Sequence, residues 1–172
     1  ARQLGAAKTI CFVAKEEYAR TFGAGDGGAA GGAPALGIDH LIWPARMQRL
    51  GAGALWSQVP ADAELWLDGG HNPSAARVLA QAFSDLNDRH SRPLVLIWGM
   101  LNTKDVGSFI GCFEGVAHRV VTLTIPDEEN AVKAESLADA ARKHGLSAET
   151  AISLEAALQQ ASTTVPAPRI LI

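Results

Sequence analysis

The chain reads as an α/β protein built on an open, mostly parallel sheet with helices on both faces. Three observations carry that expectation. From residue 62 to 172, apolar strand-like runs alternate with amphipathic helical stretches at the spacing of crossover connections. One run, "PLVLIWG" (93–99), is apolar throughout, as strands buried on both faces of a parallel sheet are. Another, "AELWLD" (63–68), ends in an acid just before a glycine-rich turn, at the edge where open α/β sheets place ligands.

The elements come in order along the chain. Residues 1–22 form a short unit of their own, "ARQLGA", an apolar "TICFVA" and a helical "KEEYARTF". Residues 23–40 shift to Gly and Ala, with "GAGDGGAAGGAPALG" as their main part, and bury too little side chain to offset their ordering entropy. They read as a linker; no GxxxxGK[ST] is present to make a phosphate loop of them. In residues 73–86 Ala75, Leu79, Ala82 and Leu86 fall on one helical face, with Val78 and Phe83 beside them. A helix is expected over 105–116, a strand over 118–125, and a helix over 131–145 closed by Gly145. "SAETAIS" holds a short strand, "LEAALQQAST" a helix, and "RILI" the last strand.

Composition excludes several classes. The 172 residues are 48% apolar and 19% charged, enough for a packed core. Net charge is −3 with no long basic run, so neither a nucleic-acid footprint nor a polybasic membrane patch is expected. The apolar runs are too short to span a bilayer, and no signal peptide opens the chain. Cys11 and Cys112 lack metal-type spacing, which suits a reducing, cytoplasmic setting.

The candidate site is "DGGHNP", Asp68 to Pro73. As a turn it is well made: Pro73 suits the first helical position, Asn72 the N-cap, and Gly69 with Gly70 a sharp bend. That leaves Asp68 and His71 without a task. Spacing alone leaves both a turn role and a ligand role open for Asp68.

"LDGGHNPSAARVLA" resembles the opening of the C-terminal domain in folylpolyglutamate synthases and bifunctional dihydrofolate synthases, members of the Mur ligase superfamily. "WPARMQRL" (43–50) is similar to the WPGR-type segment leading into that domain, with Ala45 in place of the usual Gly. "GMLNTKDVGSF" (99–109) resembles its Lys-Asp loop, and "PRILI" the strand before a Gly-Ser-Leu turn. The resemblance covers residues 41–172 and implies a Rossmann-like fold of the Mur ligase C-terminal type, truncated at its end. It also implies a preceding ATPase domain, of which residues 1–22 look like a remnant. That domain's phosphate loop and metal ligands are absent, and so is the family's ATP-contacting Asn.

The implied activity is ATP-dependent addition of L-glutamate to dihydropteroate or folate, with ATP and Mg²⁺ bound mainly by the missing domain. The isolated chain is expected to be inactive, and no catalytic residue and no metal ligand is assigned in it. The resemblance assigns Arg46 and Asp68 to ATP, the first to phosphate and the second as an acceptor to ribose. His71, Asn72 and Lys104 are candidate substrate or phosphate contacts; a structural His and an exposed loop Lys are the plainer readings. Trp43, Trp56, Trp66 and Trp98 read as packing residues. The alternative is a non-catalytic binding or interaction module on the same fold.

Overall fold

The computed structural model describes residues 46–172. The expected unit at 1–22, the linker at 23–40 and the residues up to Ala45, Trp43 included, lie outside the described residues. Within them, six strands form one sheet: β1 (Gln48–Leu50), β2 (Glu64–Leu67), β3 (Leu94–Trp98), β4 (Ala117–Thr122), β5 (Ala148–Thr150) and β6 (Arg169–Leu171). Their order is β1-β2-β6-β3-β4-β5. All neighbours are parallel except β1, which pairs antiparallel with β2 through Arg49 opposite Trp66. The helices are α1 (Pro73–Arg89), α2 (Val106–Gly111), α3 (Ala134–Lys143) and α4 (Leu154–Thr164), with a short 3-10 turn at Trp56–Gln58.

Strand alternation divides the core in two. Along β3, Val95 and Ile97 join Leu65, Leu67 and Ile170 under α4, which contributes Leu154, Ala157, Leu158 and Ala161. Leu94, Leu96 and Trp98 face the other way, into a second cluster with Phe83 of α1, Phe109 of α2 and Leu137 of α3. The sheet is therefore covered on both faces, and β3 is buried along its whole length. Three successive helices lie on one face. The fourth crosses the other and returns the chain to β6, between β2 and β3.

Several details differ from the sequence reading. The buried face of α1 is Ala76, Leu79, Ala80 and Phe83, while Val78 is 68% exposed. The helix expected over 105–116 closes after Gly111, and the chain turns through Gly115 at φ +73. The helix expected from 131 starts at Ala134, because Ala131 bridges Leu101 and the Ala134 N–H is capped by Thr124 Oγ1 at 2.9 Å. Gly145 is left-handed at φ +74, as the C′ position requires. The antiparallel edge strand β1 was not foreseen.

The amino-terminal edge of the sheet is fastened by charge. Arg169 is 2% exposed and its Nε lies 2.7 Å from Glu64 Oε2, joining the first residues of two neighbouring strands. Arg49 and Arg92 each approach Glu64 Oε1 at 3.6 Å. Arg92 also donates to the carbonyls of Asp62 and Ala167, and Arg169 to that of His90. The opposite, carboxyl edge is left open.

Candidate functional site

β2 anchors itself through Leu65 and Leu67, both fully buried, and so delivers Asp68 to the carboxyl edge. The Asp68 N–H donates to the Ile172 carbonyl at 2.9 Å, which holds this residue against the end of β6. Its carboxylate accepts two backbone bonds. Gly70 N–H donates to Oδ1 at 2.7 Å, and Met47 N–H to Oδ2 at 2.7 Å. These are short, charge-assisted bonds. Gly70 has to be glycine for this packing: a Cβ there would lie 2.9 Å from Asp68 Oδ1 and 3.1 Å from Ala75 Cβ. Met47 sits at φ +43, a left-handed conformation uncommon for a long side chain.

The turn then becomes a helix as its residues dictate. Asn72 Oδ1 accepts from Ala75 N–H at 2.9 Å, and Pro73 occupies the first turn. That first turn carries no acid of its own; the nearby carboxylate is that of Asp68, at the end of β2. His71 is exposed, with Nδ1 3.1 Å from the Gly69 carbonyl.

Two spaces open around this turn. A groove of about 480 Å³ is lined by Arg46, Met47, Asp68, Asn72, Ser74 and Val78, among others. A narrower, mostly apolar cavity of about 200 Å³ is lined by His71, Leu96, Trp98, Phe109 and Ile125, among others. Asp68 and Leu79 border both.

The fold thus brings Arg46, which a sequence reading could associate with the turn only by resemblance, to the groove of Asp68 and Asn72. His71 faces the neighbouring cavity. Lys104 lies in the turn after β3, on the same edge of the sheet, but borders neither space. Beside it Asp105 caps α2, accepting from Ser108 N–H at 2.9 Å. Hydrogen bonds from the Ser108 side chain and backbone hold that carboxyl below its usual range. Sequence reasoning missed Met47, Ser74 and Val78. The sequence reading set Val78 beside the buried face of α1, so it gave no signal of a place in the groove.

The three described tryptophans pack. Trp98 stacks on Phe109 at 5.8 Å, Trp66 meets Phe83 edge-on at 5.8 Å, and Trp56 rests partly buried against the core. Among the described residues no group of three or more His, Cys, Asp or Glu is placed to hold a metal ion. Nor is any helix among them long and apolar enough to cross a membrane.

This is an open α/β sheet covered on both faces, with Arg46 and the start of α1 bordering one crevice at its carboxyl edge. More particularly, the chain belongs to the Mur ligase family: the family model described as "Mur ligase, glutamate ligase domain" matches residues 46–172. No curated protein matches the chain. Among solved structures it is similar to the folylpolyglutamate synthase of Mycobacterium tuberculosis complexed with ADP. Identity there is 25%, TM-score 0.62, with 77% of this chain and 30% of that one covered. It is also similar in fold to FolC of E. coli in complex with DHPP and ADP, at 21% identity and TM-score 0.60, covering 78% and 28%. A third is the bifunctional folylpolyglutamate synthase/dihydrofolate synthase of Yersinia pestis complexed with AMPPNP and Mn ion. There the values are 21% and 0.61, covering 78% and 29%. The chain spans less than a third of each of these proteins.

Proposed function

We propose that this chain is the glutamate-ligase domain of an ATP-dependent amide ligase that adds L-glutamate to dihydropteroate or folate. The observation that carries the reading is the groove in which Arg46 and Asp68 meet at the start of α1. The family and the ADP complex of the Mycobacterium tuberculosis relative support it. Arg46 takes the nucleotide phosphates, because a guanidinium presents a permanently charged fork to phosphate oxygens. Asp68 and Asn72 form the nucleotide side of the same groove, while His71 borders the apolar cavity beside it.

In the reaction a substrate carboxylate oxygen attacks the γ-phosphorus of ATP, giving an acyl phosphate and ADP. The amine of L-glutamate then attacks the acyl carbon, phosphate leaves, and the nitrogen gives up a proton as the amide forms. This chain's share is to meet the nucleotide from one side and to help exclude water from the hydrolysable intermediate. An ATPase domain, of which residues 1–22 are a remnant, supplies the phosphate loop and metal ligands, with residues 23–40 as the linker. Lys104 is kept as a secondary candidate for a substrate carboxylate.

Incorporation of labelled glutamate into dihydropteroate and folate, by the protein that joins this chain to its ATPase domain, tests the reading. ATP-dependent amide formation with release of ADP is expected, and none from residues 1–172 alone. A joined protein that binds ATP and yields no amide from either acceptor contradicts the reading and favours a binding module.

A further inference from the structure

We infer that Asp68 serves the groove as a positioning residue: its carboxylate clamps the backbone at Met47 and so sets the point from which Arg46 reaches a ligand phosphate. The inference rests on the nucleotide reading of the groove and deepens it.

Four features converge. Both carboxylate oxygens are engaged by backbone N–H groups at 2.7 Å, from residues on opposite sides of the turn. The Met47 N–H belongs to the peptide group that begins at Arg46, so this bond fixes the peptide plane on which Arg46 sits. Met47 is held at φ +43, a conformation that persists for such a side chain only where the surroundings enforce it. Finally, the space over Gly70 is shaped to the carboxylate, since even a methyl group there would meet Oδ1 at 2.9 Å.

This explains why an acid stands at position 68. Two N–H donors face one side chain, and only a carboxylate offers an acceptor to each. An asparagine would present its own NH₂ to one of them. A purely ribose-accepting role would leave the Met47 conformation and the Gly70 contact without a cause.

The test uses two readouts: amide hydrogen exchange in the 172-residue chain, and ADP titration of the enzyme that joins it to its ATPase domain. In Asp68→Asn, and in Gly70→Ala as a second route, exchange at Met47 or Gly70 should quicken by at least about tenfold, with β3 and β4 amides unchanged. Arg46→Ala should weaken ADP binding about tenfold, and adding Asp68→Asn to it should weaken binding little further. Unchanged exchange at both amides in the folded Asp68→Asn variant overturns the clamp. Fully additive losses of ADP affinity overturn it too, because Asp68 would then act on the ligand independently of Arg46. A joined enzyme in which Arg46→Ala leaves ADP affinity unchanged counts against the nucleotide reading instead, and the exchange result still decides the clamp.

Discussion

Arg46 and Asp68 border the same groove but stand in different mechanical positions. Arg46 is exposed, so its removal should cost binding and not stability. In the joined enzyme Arg46→Ala should lower kcat/KM for ATP by at least about tenfold, the worth of a charge-assisted phosphate contact. Thermal unfolding should hardly move; a large fall in Tm with unchanged kinetics would make Arg46 structural. Asp68 is half-buried and holds two backbone donors, so Asp68→Asn should destabilise the chain by about 1–3 kcal/mol in denaturant unfolding. If Asp68 only shaped a turn, that change would be nearly silent. Much of this was legible: Asn72 and Pro73 act in the structure as their types foretell. The clamp was not, because Met47 lies 21 residues upstream and its bond to Asp68 is a product of the tertiary fold.

Among the elements, the parallel strands and main helices could be read because each carries its own period. β3 is a continuous apolar run, and Leu79 and Phe83 mark the buried stripe of α1. The β1 edge strand, three residues reading "QRL", has no such pattern and exists only through its pairing with β2. α2 was overextended because Phe113 and Val116 continue an apolar rhythm after the helix has ended. Glycine substitutions separate local causes here. At Gly107 a Cβ would find its nearest neighbour at 3.9 Å, so Gly107→Ala should stabilise by about 0.5–1 kcal/mol through helix propensity. Gly145 is left-handed at φ +74, so Gly145→Ala should destabilise by about 1 kcal/mol. Equilibrium urea unfolding of the two variants should therefore show midpoints displaced in opposite directions. A common direction would mean that α2 or the end of α3 is not built as described.

For the whole molecule, the charged network stands at one edge of the sheet and the groove at the other. Burial raises the Glu64 carboxyl, but the hydrogen bond and charge of Arg169 outweigh it and hold the group below its ordinary 4.5. A depressed folded value means that Glu64 contributes its stabilisation above about pH 4.5, the ordinary carboxylate value. That contribution is lost as pH falls through the lower folded value. Glu64→Gln should cost about 3–5 kcal/mol at neutral pH, since it leaves Arg169 buried without its counter-charge. Stability of the variant measured from pH 7 to pH 3 should also fall less steeply in acid than that of the unaltered chain. Equal slopes would remove Glu64 from the account of acid sensitivity. None of this network could be read from sequence, where Glu64 and Arg169 stand 105 residues apart.

The placement of nucleotide at the open edge is tested most directly by a crystal structure of the joined enzyme with ADP. The account predicts a phosphate oxygen about 2.7–3.0 Å from the Arg46 guanidinium, with Asp68 still bonded to the Met47 and Gly70 N–H groups. ADP bound with Arg46 turned to solvent, or seated away from the groove between Arg46 and the start of α1, would contradict it.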